Sequence, residues 1–166
     1  MVRRYLWIWS VSAILAVGSA CAADPAYRCV LDDGRTVPIV ADATLQNVAA
    51  ARIDRNANRV IVFNPVYMAP FQVETRWFWF AHECAHQQLD QVSTAYTAQT
   101  EGDADCYAID QLLAHGQIDL AGVKKVVDDM SKMEGDAKHY LPGPQRADHI
   151  AGCALAYERR SNQPDG

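Results

Sequence analysis

An apolar run at residues 77–81 leads directly into His82-Glu83-Cys84-Ala85-His86, an HExxH, and Glu101-Gly102-Asp103-Ala104-Asp105 follows 15 residues after His86. On a helix, the HExxH spacing sets two imidazoles one turn apart on one face, where both can ligate the same zinc. Glu83 lies between them, the position of a general base for a water activated by that metal. This is the chemistry of a zinc-dependent hydrolase, with a peptide bond as the expected substrate.

HExxH is a short motif, so its surroundings matter. No charged residue occurs at 77–81 or at Cys84, Ala85, Gln87 and Gln88, as a buried helix beside a dry zinc site requires. Gln88 departs from the apolar residue expected there, and Leu89 beside it can fill that role. The third ligand must come from elsewhere. A metzincin needs Gly at 89 and His at 92, and the chain has Leu89 and Val92, which excludes that class.

Glu101 meets the requirement if the HExxH helix ends near residue 90, turns through 91–96 and returns antiparallel. At about 1.5 Å per residue, the descent from 86 to 90 is matched by the ascent from 97 to 101, bringing the carboxylate level with the imidazoles. Asp105, one turn beyond Glu101, can accept the second N–H of a ligating His and fix its tautomer. The alternative for this acidic group is a solvated helix start stabilised by the helix dipole, and Asp103, which points elsewhere, keeps that role.

HExxH followed by ExxAD, here His82 to His86 and Glu101 to Asp105, resembles the gluzincin metallopeptidases. The similarity is to the group containing the membrane-bound heat-shock and CAAX-processing proteases and their small soluble relatives. Members of that group often carry, later in the chain, a Pro-containing segment followed by an Arg that opens a helix; residues 140–150, with Pro142, Pro144 and Arg146, look like a version of it. The resemblance spans about residues 60–156. It implies a zinc endopeptidase fold with Glu101 as third ligand and Arg146 near the cleft. The chain lacks the transmembrane helices of the larger members, has a short His-to-Glu spacing, and has no His directly before its first Pro, His139 lying three residues earlier. A membrane substrate is therefore not carried over.

The elements that must position these groups read as α+β: a small zincin-like domain with short N-terminal strands, the active-site helix, an antiparallel glutamate helix and further C-terminal helices. Residues 27–40 are extended around the turn Asp32-Asp33-Gly34, and 52–63 around Asn56-Ala57-Asn58. The strand at 59–63 is the candidate edge strand for pairing with extended substrate, with an ordinary core strand as the alternative. Helices are expected at 74–90, 97–115, 119–133 and from Pro144 to about 160. Arg146 and His149, three apart on the last helix, can share a face and are candidate catalytic groups, since a peptidase needs a donor or cation beside the metal. For Tyr140 and His139 a packing or surface role is the expectation, and His115 ends its helix where a cation complements the dipole.

Residues 1–22 read as an export signal: basic Arg3 and Arg4, an apolar stretch at 5–17, and small residues leading to cleavage after Ala22. Arg3-Arg4 leaves Sec and twin-Arg export open. Cys21 raises a lipoprotein, but Gly18 stands where a lipobox prefers a bulky aliphatic residue. The product expected is periplasmic or secreted, with residues 23–160 as one metallopeptidase-like domain and 161–166 as a flexible tail. Losing two of the 15 basic residues and none of the 20 acidic ones moves the formal net charge from -5 to -7. That charge disfavours nucleic acid and anionic membrane, and no later segment is long enough to span a bilayer. The expected partners are zinc and a peptide or unfolded protein, with the chain a monomer.

Cys29, Cys84, Cys106 and Cys153 remain after cleavage, enough for two disulfides. Cys84 lies about 180° around its helix from the midpoint of the two histidines, and Cys106 is also off the ligand face, so neither suits the metal. Because the two helices must touch, the expected pairing is Cys84 with Cys106 and Cys29 with Cys153, free buried thiols being the alternative. A catalytically silent zinc-binding interaction or inhibitor module is the second functional reading. A purely structural site would need four protein ligands and has no use for Glu83.

Overall fold

The computed structural model describes residues 27–92, 96–135 and 141–163. The export segment at 1–22 with Cys21, the residues His139 and Tyr140, and positions 164–166 of the tail lie outside them. The described chain runs β1 (Cys29–Val30), β2 (Thr36–Val37), β3 (Ile39–Ala41), β4 (Ala49–Ile53), β5 (Arg59–Phe63), α1 (Pro65–Met68), α2 (Val73–Gln88), α3 (Ala98–Ala114), α4 (Leu120–Ser131) and α5 (Gly143–Ser161). It is an α+β arrangement in which a small mixed sheet and four longer helices enclose one core. No helix among the described residues is long and apolar enough to cross a membrane.

The helix ends follow local chemistry. Thr97 caps α3 through a reciprocal box with Thr100, and the Asp119 carboxylate accepts the Gly122 N–H at 2.8 Å to start α4. The short α1 is an element the sequence reading lacked; Asn64 caps it, with Pro65 in the first turn. At the start of α5, Gly143 lies against the end of α4, where a Cβ would run into the Met133 and Met130 carbonyl oxygens. α5 continues to Ser161 with Asn162 as its C-cap, so the helix extends just into the expected tail.

In the sheet, β5 is central, with β3 parallel on one side and β4 antiparallel on the other. This corrects the expectation of an edge strand at 59–63 in favour of the core-strand alternative: both ladders of β5 are occupied, and the edges belong to β3 and β4. Alanine is a weak strand former, so Ala49–Ile53 carries little strand signal. It forms because β5 supplies a partner and Ala49 and Ala51 fit the small space beneath it. The loop before β5 turns at Ala57, whose φ is +62°, with the Asp54 carboxylate accepting the Asn56 and Asn58 N–H groups.

α2 crosses this sheet and packs against α3 and α4. Phe78 and Phe80 are fully or almost fully buried, and Phe80 meets the Phe63 ring edge-on at 5.3 Å. Burial of side chains of this size contributes roughly 1.5–3 kcal/mol each. Gln87, also buried, donates from its Nε2 to the Arg52 and Val60 carbonyls, while its Oε1 accepts from Arg59, fastening the C-terminal end of α2 to β4 and β5. Gln88 accepts the Asp32 N–H at 3.1 Å, which gives the polar residue at that position a role in holding the β1–β2 turn.

The two disulfides join Cys29 to Cys84 and Cys106 to Cys153, correcting the expected pairing. Helices α2 and α3 do touch, but through their ligand faces. A cysteine turned off that face on either helix is turned away from the other helix as well. Cys84 consequently reaches β1, and Cys106 reaches α5.

Candidate metal centre

The imidazole Nε2 atoms of His82 and His86 are 3.0 Å apart. Glu101 closes the group, its Oε2 3.1 Å from His82 Nε2 and its Oε1 3.4 Å from His86 Nε2. All three residues are buried, and their ligand atoms lie within 4.8 Å of one another. The structure thus brings together the three residues read as metal ligands, by the antiparallel return that the spacing requires.

The reversal between the two helices has a specific cause. Asp90 adopts a left-handed φ of +54°, which lets the Gln91 N–H bond back to the His86 carbonyl at 2.9 Å. The same turn delivers the Gln91 side chain to His86, where its Oε1 accepts from Nδ1 at 2.9 Å. Asp105 accepts from His82 Nδ1 at 2.8 Å. With both Nδ1 atoms engaged by outer partners, Nε2 is the ring nitrogen that each histidine turns toward the other and toward Glu101. Gln91 escaped the sequence reading because a turn glutamine carries no motif signal. Removing its acceptor in Gln91→Ala is expected to weaken zinc affinity about ten- to a hundredfold with the fold retained; competition against a chromophoric chelator measures it, and unchanged affinity would dismiss the Gln91 contact as incidental.

Arg146 enters from α5 and makes a two-pronged pair with Asp105, Nε to Oδ2 at 2.9 Å and Nη2 to Oδ1 at 2.7 Å. Its guanidinium also lies over the Trp79 ring, 5.0 Å from the centroid. The structure therefore places Arg146 behind the histidine, where it orients Asp105, and Asp105 orients His82. His149 does not join this group. Its Nε2 lies 3.0 Å from the Gly102 carbonyl and beside the Cys106–Cys153 disulfide, on another face of α3.

Glu83 is 5 % exposed, and its Oε2 accepts the Ala51 N–H of β4 at 2.6 Å. The edge strand thus holds the carboxylate beside the two histidines. Burial raises the Glu83 pKa above its ordinary value, an effect opposed by the charges of His82 and His86 and by the Ala51 hydrogen bond. Such a shift suits a group that must accept a proton and return it near neutral pH.

Burial alone would lower the His82 pKa, but hydrogen bonds from Asp105 and Glu101 dominate and raise it to about 9. Glu101 is held down at about 2, since contacts with the two histidines outweigh its burial. Asp105 is likewise depressed despite burial, by Arg146 and His82. The cluster therefore keeps a proton on His82 below about pH 9, which a cation taken up there would have to displace. Zinc affinity is expected to rise about tenfold per pH unit on approaching that pKa and to level off above it. Chelator competition across this range reads the slope, and a flat profile would contradict the coupling.

The donor set fits zinc: two imidazole nitrogens and one carboxylate, the composition of a three-ligand catalytic site with a position left open. Glu101 Oε1 supports the fit, because it is buried without a hydrogen-bond partner and at 3.4 Å only approaches His86. A cleft of about 510 Å³ lined by Ala81, Cys84, Gln88 and Tyr107 lies on the opposite face of α2, away from Glu83. A smaller one of about 110 Å³, between Asn47, Trp79, Leu141 and Arg146, adjoins the α5 side of the centre. The chain matches no protein-family model, no curated protein and no solved structure.

Proposed function

We propose that this chain is an exported zinc-dependent endopeptidase of the gluzincin type. The observation that carries the reading is the convergence of His82, His86 and Glu101, with Glu83 held beside them and each Nδ1 fixed by an outer partner. When bound there, zinc supplies Lewis acidity toward water and a peptide carbonyl. Glu83 takes a proton from the attacking water and passes it to the leaving amine nitrogen as the carbon–nitrogen bond breaks. Arg146 and Asp105 act as positioning residues for His82.

β4 supports an extended substrate. Its ladder to β5 uses Ala50 and Arg52, so Ala49, Ala51 and Ile53 direct their main-chain groups to the outer edge; the Ala51 N–H is taken by Glu83 and its carbonyl by the Tyr96 hydroxyl, so a peptide would pair at Ala49 and Ile53 on either side. A peptide added there would bring a carbonyl past the general base. Two disulfides suit an oxidising compartment, periplasmic or extracellular, in keeping with the signal read at 1–22.

Elemental mass spectrometry of the purified chain, followed by a quenched-fluorescence peptide library, tests the reading. The expected result is about one zinc per chain and cleavage that a chelator abolishes and zinc restores. Zinc without cleavage would favour an interaction or inhibitor module on the same fold, and failure to take up zinc on reconstitution would remove the proposal.

A further inference from the structure

A second group of soft ligands lies on the α3–α5 contact. His149 Nε2 is 3.6 Å from Cys106 Sγ and 3.6 Å from Cys153 Sγ. His149 and Cys153 are one turn apart on α5, and Cys106 faces them from α3. Gly102 permits this arrangement: a Cβ there would come within 3.2 Å of the His149 Nε2. The ring thus lies across the glycine, close to both sulfurs at once.

We propose that the Cys106–Cys153 disulfide, once reduced, becomes a thiolate–imidazole site for a soft d10 cation such as Zn2+, with His149 as the nitrogen ligand. With metal–sulfur and metal–nitrogen bonds of about 2.3 and 2.0 Å, a tetrahedral ion separates sulfur from nitrogen by roughly 3.5 Å and sulfur from sulfur by roughly 3.8 Å. The two nitrogen–sulfur distances, 3.6 Å each, are already within about 0.1 Å of that value. Only the sulfurs must part, and opening their bond allows it.

The reductant is a dithiol or an equivalent two-electron donor. It gives two electrons and two protons to the pair; the protein S–S bond breaks, both sulfurs become thiols, and the dithiol closes to its own disulfide. Metal binding then releases the two thiol protons, and His149 gives up its Nε2–H bond to the Gly102 carbonyl, its proton passing to Nδ1 so that the Nε2 lone pair faces the metal. The disulfide and the metal exclude one another, and either one ties α3 to α5. Since Cys106 follows Asp105 directly and Arg146 lies two turns before Cys153, both forms hold the Asp105–Arg146 pair together.

Cobalt(II) is titrated into the oxidised and the reduced chain, with the state of each cysteine mapped by thiol alkylation and mass spectrometry. The reduced chain is expected to take up one equivalent more than the oxidised chain, with a thiolate-to-cobalt charge-transfer band that zinc bleaches. Cys106→Ser/Cys153→Ser should lose the band. His149→Ala keeps both thiols and should weaken that equivalent about tenfold or more. Equal uptake by the two redox forms of wild type, a band that survives the double substitution, or one that His149→Ala leaves unchanged would overturn the proposal. The readout is a difference between redox forms of one chain, so it is independent of whether the His82 centre binds zinc or cuts peptides.

Discussion

Glu83→Gln is expected to retain zinc and the fold while losing about 10²- to 10⁴-fold in turnover. The glutamine keeps the size of the side chain and an oxygen that can still accept the Ala51 N–H, so the contact between α2 and β4 survives. It cannot take a proton from water, so only the transfer step is removed. kcat and KM measured on one cleaved peptide separate the effects: a fall in kcat at similar KM marks a group acting in the transition state. Full activity in the variant would eliminate Glu83 as the base and, with it, the proposed mechanism.

Glu101→Ala should act on the metal. An outer partner of a ligating histidine commands about ten- to a hundredfold in affinity, and loss of a direct ligand should exceed that range. The carboxylate also neutralises its surroundings: Glu101 is 4 % exposed and faces two imidazoles, one of them held protonated in the metal-free chain. Without it, the remaining charge has Asp105 as its nearest anion, and a bound cation would have two neutral ligands. Zinc is expected to be lost on dialysis from the variant under conditions where wild type retains it. Retention with wild-type affinity would show that Glu101 is not a ligand.

The contrast between the two variants separates the roles of neighbouring carboxylates. Both glutamates are buried, yet their proton affinities are driven apart. Burial raises the Glu83 pKa, while the two histidines hold Glu101 at about 2. One is suited to exchange a proton and the other to remain an anion beside a cation, which is the division of labour a hydrolytic site requires.

Local spacing settles some of this architecture before any fold is known. The i, i+4 separation of His82 and His86 places them on one helix face whatever surrounds the helix, and the apolar residues ahead of them dictate burial. Helices α2 to α5 begin and end within two residues of the limits read from caps, glycine and proline, because those signals act over one turn of chain. The separation of 15 positions from His86 to Glu101 also suffices to predict the antiparallel return, as the rise per residue is the same in both helices.

What a side chain meets across space follows from tertiary packing. The cysteines show this most directly. Their positions off the ligand faces were legible, but which element each one faced depended on where β1 and α5 were laid down. Strand order is a similar case: β5 carries the strongest strand signal and lies at the centre, while the alanine-rich β4 takes the edge beside Glu83, since pairing with a neighbour outweighs weak intrinsic preference. Gln91 became a partner of His86 only through the left-handed turn at Asp90, and Arg146 meets Asp105 because α5 packs against α3. The sequence by itself determined the candidate ligands and the helices that present them, because helix limits and the shared face of His82 and His86 depend on residues a turn or two apart. Only the tertiary structure decided which groups orient those ligands, which strand borders them and which thiols meet, because those are contacts between segments dozens of residues apart.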